Sequence, residues 1–225
     1  MDGNGRWAKG RGLLRVMGHR NGVHAVRRTT EECCRLGIDY LTLYCLSIEN
    51  WKRPQKELNQ LMSLLEDFLI GERPTIAKNN VRLNFCGRRE GLPASVLREL
   101  DLSLQLSEKN TGTTLTLAIN YGGRTEIADA CRRLAEQVKS GALAPAEIDE
   151  SAIARELYTA GMPDPDLLIR TAGEQRISNF LLWQISYSEI WITDVYWPDF
   201  SLVQFHKALW DFANRERRYG GLTAG

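Results

Sequence analysis

The chain has no apolar run of eighteen residues, so it lacks the stretch that a membrane-spanning helix needs. A basic start followed by an apolar secretory segment is also missing, and any membrane contact is therefore expected to be peripheral. Five cysteines, Cys33, Cys34, Cys45, Cys86 and Cys131, form no C-x-x-C pair. Most sit in apolar runs, where cysteine behaves as a small hydrophobe, and this usage suits a reducing cytoplasm. Neither sign of charge dominates: 29 Lys and Arg stand against 28 Asp and Glu, for a net charge of +1. No global field draws the protein to nucleic acid or to an anionic membrane, and anion binding has to be local. His19, His24 and His206 lack the i, i+4 spacing of a helical zinc pair, and no G-K-[ST] completes a Walker loop, which excludes two common site types. Repeats, low-complexity tracts and Pro/Ser-rich linkers are absent as well, so 225 residues are read as a single domain, 1–225.

What is present is an alternation of helical and β-rich segments. Helical spacing predicts a helix over 20–36, where Val23, Val26, Thr30, Cys33 and Cys34 recur and Gly37 stands at the C-terminal cap. "YLTLYCL" (40–46) reads as a buried strand, and a helix follows Pro54 with Leu58, Leu61, Met62, Leu65, Phe68 and Leu69 on one side. Further strands are predicted at 81–87, 113–119, 166–170 and 190–194, and further helices near 93–109, 124–140, 150–160, 179–187 and from about 202. Strands separated by helix-length segments imply an α/β fold with a mostly parallel central sheet flanked by helices. In such sheets ligands bind beyond the carboxyl ends of the strands. "SIENWKR", "NYGGR" and "TAGEQRIS" each follow a predicted strand. The opening "MDGNGRWAKGRG" is of the same kind, and such a loop needs a strand to aim it. The first strand is accordingly expected upstream of Met1, the alternative being a sheet that has lost it.

Two segments have the chemistry of anion sites. Gly3 and Gly5 let successive backbone N–H groups converge on an anion, and Arg6 and Arg15 add charge. Asp2 is out of place beside an anion unless a cation lies between them, and Mg²⁺, held by one or two carboxylates plus substrate phosphates, resolves this. The alternative is an ordinary Gly-Asn turn with solvated charges. "GNGRWA" also matches the weak dinucleotide pattern, but no strand precedes it and no acidic residue ends the next one. The second segment is "IRTAGEQRIS", where Arg170 ends an apolar strand, Arg176 follows six residues later and Ser178 supplies a hydroxyl. Guanidinium forks match phosphate oxygens in a bidentate manner. Between the segments lie Ser47, Glu49, Asn50, Trp51 and Arg53. Two phosphate-type sites, one with a metal carboxylate, point to an enzyme that joins two diphosphate substrates.

The blocks "MDGNGRWA", "RVMGHRNG", "LTLYCLSIENWKRP", "NYGGR", "DLLIRTAGEQRISNFLLWQISYSE", "WPDF" and "RERRYGG", in this order from Met1 to about Gly221, resemble the cis-prenyltransferase family, and within it the bacterial undecaprenyl diphosphate synthases. The resemblance implies the α/β fold of that family rather than an all-α one, and a Mg²⁺-dependent cytoplasmic homodimer with peripheral contact at the inner membrane face for product release. It implies repeated addition of isopentenyl diphosphate to an allylic diphosphate such as farnesyl diphosphate, with undecaprenyl diphosphate, a lipid carrier for cell-wall synthesis, as the product. By position, Asp2 is the central catalytic carboxylate and binds the metal, with Glu189 as a second metal-side carboxylate. Gly3, Asn4, Gly5, Arg6, Trp7, Arg15 and His19 belong to the allylic diphosphate site, and Arg170, Arg176 and Ser178 to the isopentenyl diphosphate site. Ser47, Glu49, Asn50, Trp51, Arg53 and Glu57 form the loop over the substrates, Asn4 and Ser47 help the departing proton, and Asn50 shares the catalytic role. Arg218 and Gly220 match a tail motif that reaches the partner subunit. The family's chemistry uses no aspartate-rich metal motif, and no Asp-Asp pair occurs here.

Three departures from the family pattern stand out: Leu14 where proline is usual, Leu46 and Ile48 around Ser47, and Ala172 where Gly or Ser is usual. They bear on substrate preference, so a short-chain or branched product is the alternative within the fold. A catalytically silent partner subunit is another alternative, although Asp2, Arg6, Arg15, Arg170 and Arg176 are all retained. The apolar face after Pro54 is either core or the wall of a tunnel for a growing chain; Leu100, Leu102, Leu104 and Leu106 cannot share one helix face.

Overall fold

A computed structural model describes residues 1–217, and the chain packs as two compact units. The first comprises Met1–Leu36, Asp164–Arg176 and the chain from Gln184 onward, the second Gly37–Pro163 and Ile177–Trp183. Arg218 and Gly220 lie outside the described residues.

The second unit is built on a parallel sheet of β1 (Tyr40–Ser47), β2 (Arg82–Cys86) and β3 (Thr114–Tyr121), in the order β1-β3-β2. Thr114 of β3 is paired with Tyr40 on one side and Arg82 on the other. β3 is buried from Leu115 to Tyr121; a central strand covered on both faces loses the period-two alternation. Helix α3 (Gln55–Gly71) packs on α5 (Ala94–Ser107). Leu58, Met62 and Leu69 of the first and Val96 and Leu100 of the second are buried, while Leu102 and Leu106 are exposed on the other side of α5. The helices α4 (Arg73–Lys78), α6 (Gly123–Ser140) and α7 (Glu150–Glu156) complete this unit. Glu126 of α6 is fully buried and satisfied by the Tyr158 N–H (2.8 Å) and the Tyr121 hydroxyl. Asp129 takes a two-point fork from Arg88 at 2.6 and 2.8 Å. A buried carboxylate persists only with such partners.

The first unit corrects the expectation of an opening loop: residues Asn4–Lys9 are a short helix, α1. Gly3 adopts φ 97°, and the Trp7 N–H then reaches the Gly3 carbonyl at 2.8 Å. A helix of six residues with two glycines beside it has too little periodicity to be read from sequence. Helix α2 (Arg15–Leu36) starts five residues before its predicted beginning, because its first turns hold Arg15, Gly18, His19 and Arg20 rather than an apolar stripe. Gly18 is where the two helices touch. A Cβ there would stand 1.9 Å from the Asn4 carbonyl oxygen, and one on Gly22 would stand 2.6 Å from Asn4 Oδ1.

β4 (Leu167–Arg170) and β5 (Glu189–Ile192) pair in parallel, and α8 (Leu202–Ala213) starts at Ser201, whose side chain accepts the Gln204 N–H. The Trp197 indole donates to the Gly22 carbonyl (3.0 Å) and stacks on Phe200. Between α2 and α8, buried Glu32 is held by both Arg35 nitrogens (2.6 and 2.8 Å) and by His206. The strand pairings are all parallel, as expected, but they form a three-stranded sheet and a two-stranded sheet. The helix expected over 179–187 is absent. Ser178, Asn179 and Leu181 have φ of 49°, 62° and 46°, which no right-handed helix tolerates. Asn179 instead accepts the Arg124 N–H at its side chain (2.8 Å) and the Gly123 N–H at its carbonyl (2.7 Å). Tertiary hydrogen bonds capture an apolar segment that would otherwise suit a helix.

Gly18→Ala should lower stability by roughly 1–3 kcal/mol, because overpacking outweighs the better helix propensity of alanine. Gly71→Ala, where an added Cβ meets nothing within 4 Å, should leave stability unchanged or raise it; thermal unfolding of both variants checks the contrast. The second prediction concerns pH. Hydrogen bonds from Arg35 and then His206 lower the Glu32 carboxyl from 4.5 to about 2. Because the folded-state value is depressed, its stabilisation is complete above the unfolded value and drains away as pH falls from 4.5 towards 2. Denaturant unfolding of wild type and Glu32→Gln at about pH 6 and about pH 3 should show their difference shrinking in acid. A constant difference would contradict the assignment.

Candidate active site

The first unit places Asp2 at the carboxyl end of β4. Its backbone N–H donates to Thr171 Oγ1 and its carbonyl accepts from the same hydroxyl, both at 2.9 Å. The Trp197 N–H reaches that carbonyl as well, at 2.9 Å. With the main chain fixed, the carboxylate receives Arg170 Nε at 2.9 Å and Nη2 at 2.8 Å. Thr171 is 1% exposed, so its hydroxyl is a buried and fully committed clamp. Gly3 must be glycine at φ 97°, since a Cβ would meet the Tyr196 ring at 2.5 Å.

The two arginine segments converge within this unit. Glu174 accepts from Arg6 Nη2 at 2.6 Å and also from Arg176 Nη1, so one carboxylate joins a residue of each candidate diphosphate site. Arg6 also lies over the Tyr196 ring, 5.4 Å from its centre. Arg15 lies along Gly5, where a Cβ would come within 3.0 Å of its Nε, and His19 follows one turn later on α2. Trp7 is buried, and its indole donates to Asp199 (2.8 Å) beneath the Arg11 guanidinium, so it anchors α1. Asn4 is buried with its Nδ2 on the Met1 carbonyl (2.9 Å), and Oδ1 has no hydrogen-bond partner among the described residues. Glu189 is paired with Leu167 at the start of the strands and its carboxylate receives Arg215 (2.7 Å). Three residues of parallel strand, about 10 Å, separate that level from Arg170, and the same chain does not bring Glu189 to Asp2.

In the second unit, the segment after β1 forms a short 3₁₀ helix, Ile48–Lys52. Asn50 Oδ1 turns back to accept the Ser47 N–H (3.1 Å), and Arg53 pairs with Glu57 (2.9 Å). Glu49 receives Asn179 Nδ2 at 2.7 Å, and the Trp51 indole donates to Asn120 Oδ1 at 2.6 Å. Ser178 belongs to this unit too.

Sequence reading passed over Thr171, Glu174, Tyr196, Trp197, Asn120 and Asn179. The first two lie inside the quoted block after β4, Trp197 opens "WPDF" and Asn120 opens "NYGGR"; the blocks were visible, but the partners were not. As to a metal, no group of three or more His, Cys, Asp or Glu side chains that could hold an ion occurs among the described residues. A half-exposed single carboxylate fits the way Mg²⁺ binds, with most ligands supplied by substrate phosphates and water. None of the described helices is long and apolar enough to cross a membrane.

The family model described as putative undecaprenyl diphosphate synthase matches residues 1–220. An isoprenyl transferase of Rhodopirellula baltica is 54% identical over 225 residues, covering 100% of this chain and 92% of that protein. One from Bacillus subtilis is 50% identical over 222 residues, covering 99% of this chain and 85% of the relative. Among solved structures, a lavandulyl diphosphate synthase from Lavandula x intermedia in complex with dimethylallyl diphosphate superposes with a TM-score of 0.95 at 36% identity, covering 98% and 95% of the two chains. A probable undecaprenyl diphosphate synthase from Campylobacter jejuni gives 0.79 at 33% identity, covering 89% and 92%. The match of the family model over residues 1–220 and full-length identity near one half, on a parallel α/β architecture, together make this chain a prenyl-transferring enzyme of the undecaprenyl diphosphate synthase family.

Proposed function

We propose that the chain acts as one catalytic domain that condenses isopentenyl diphosphate with an allylic diphosphate, such as farnesyl diphosphate, in successive cis additions, giving a long polyprenyl diphosphate of the undecaprenyl class. The observation that carries this reading is the meeting of Asp2 with Arg170 and of Arg6 with Arg176 through Glu174. Two diphosphates have high negative charge, and the cations that would hold them lie within one unit. Arg6 and Arg15 would hold the allylic diphosphate, with Gly3 and Gly5 leaving room for close backbone approach. Arg170 and Arg176 would hold isopentenyl diphosphate. As the allylic C–O bond breaks, its electron pair leaves with the diphosphate and these guanidinium groups stabilise the charge. The isopentenyl double bond attacks the freed carbon and a proton then departs, with Asn4 and Ser47 as candidates to assist it. Mg²⁺ bound at Asp2 would supply further positive charge to the diphosphate.

An elongating product needs apolar surface. On α3, Leu61, Leu64, Leu65 and Phe68 are only partly buried, and covering one isoprene unit with such surface is worth on the order of 4 kcal/mol. A shorter or branched product is the second reading, favoured by the 0.95 superposition on a lavandulyl diphosphate synthase. Thin-layer chromatography of products made from labelled isopentenyl diphosphate and farnesyl diphosphate separates the two readings. We place the enzyme in the cytoplasm, touching the membrane peripherally when product leaves.

The homodimer has support on β5. Ile190 and Ile192 alternate onto one face at 46% and 39% exposure, and Tyr187, Val203 and Trp210 of the same unit are 71%, 74% and 68% exposed. An outer strand of a two-stranded sheet with an exposed apolar face invites a second copy. Ile192→Glu with Trp210→Glu should give a monomer in sedimentation velocity; an unchanged dimer, or a wild type that is already monomeric, would refute the interface.

Asp2→Ala should lower turnover by several orders of magnitude with little loss of stability. Thr171→Val keeps the shape but removes both hydrogen bonds that fix the Asp2 main chain; it should lower kcat at least tenfold and cost roughly 1–3 kcal/mol of stability. Steady-state incorporation of labelled isopentenyl diphosphate with Mg²⁺ measures both, and wild-type rates in either variant would remove the role assigned to Asp2.

A further inference from the structure

"NYGGR" spans the end of β3 and the start of α6, and none of its residues has a task in the chemistry above. We propose that Asn120 is a positioning residue for prenyl transfer, which holds Trp51 and so fixes the Ser47–Arg53 segment; the proposal rests on the function assigned above. The Asn120 side chain uses both of its ends. Oδ1 accepts the Trp51 indole N–H at 2.6 Å, and Nδ2 donates to the carbonyls of Arg88 (3.1 Å) and Glu90 (2.9 Å). The residue is 4% exposed and sits at φ 50°, a left-handed conformation that asparagine accepts more readily than most side chains. Its amide is thus anchored on three sides, with its acceptor aimed at the segment that carries Asn50 and Arg53.

The neighbouring glycines serve the same segment. A Cβ on Gly122 would come within 2.9 Å of the Ile48 side chain and 2.7 Å of Asn179 Nδ2, the atom that donates to Glu49. A Cβ on Gly123 would come within 2.8 Å of Leu182. Trp51 is therefore seated on the last residues of β3, Ile48 on the turn that follows, and Glu49 on the 177–183 stretch bonded to that turn. This gives the motif a role other than ligand binding: it is a seat for the catalytic segment. Ile48, one of the departures from the family pattern, is packed at this seat, against Gly122.

The test is a double-mutant cycle between positions 51 and 120. Asn120→Gly removes the amide at a φ that glycine adopts freely, and Trp51→Phe removes the N–H but keeps an aromatic ring. Each should lower kcat/KM for isopentenyl diphosphate about fivefold, and the double variant should be lower by about the same factor rather than by its square. Limited trypsin cleavage after Lys52 should be several-fold faster in both single variants at a temperature well below their unfolding transitions. Multiplying effects, or unchanged activity and cleavage in both variants, would overturn the proposal. Trypsin results as expected in a protein that incorporates no isopentenyl diphosphate would leave the seat standing and remove the transferase reading. Should Asn120→Gly fail to fold, Trp51→Phe alone still decides, since a mere packing role predicts no change in cleavage after Lys52.

Discussion

The hydroxyl of Thr171 fixes the main chain of Asp2, and the rest of the first unit's chemistry depends on that attachment. A carboxylate outside any helix or strand ordinarily samples many positions unless its main chain is tied down. Here two hydrogen bonds from one buried side chain and a third from the Trp197 N–H remove that freedom. Order at Asp2 then orients Arg170, and the helix that begins at Asn4 carries Arg6 towards Glu174. The tight seating of α1 on Gly18 and Gly22 belongs to the same device. Positioning of this kind lets charged groups act without reorganising at the moment of reaction.

Glu174 has a consequence for ligand binding. Arg6 and Arg176 share this one carboxylate, so on the proposed reading a diphosphate entering either site competes with it. Such pairing holds guanidinium groups in place and limits non-specific anion binding, at some cost in affinity.

Much of this was legible in sequence because strands and long helices announce themselves by periodicity. β3 and α3 were read with bounds close to those found. The arginines were legible because guanidinium at the end of an apolar strand needs a partner. What escaped depended on contacts distant in the chain. The α1 helix forms through Gly3 and the bed provided by α2, and the 177–183 stretch avoids a helix through Asn179, which bonds to residues 55 and 130 positions away. Thr171 is a small hydroxyl beside a conspicuous arginine, and only its partner 169 residues away gives it meaning. Glu189 was legible as a carboxylate but not its place, at the start of the strand pair and bonded to Arg215.

The central claim is that Asp2 holds Mg²⁺ only together with a diphosphate, because no ready-made cluster of ligands surrounds it among the described residues. Calorimetric titration of the protein with Mg²⁺, in the presence and absence of inorganic pyrophosphate and repeated with Asp2→Asn, tests this directly. The account predicts tight binding that requires pyrophosphate and is lost in the variant. Equal Mg²⁺ affinity without pyrophosphate, or an unchanged titration of Asp2→Asn, would contradict it.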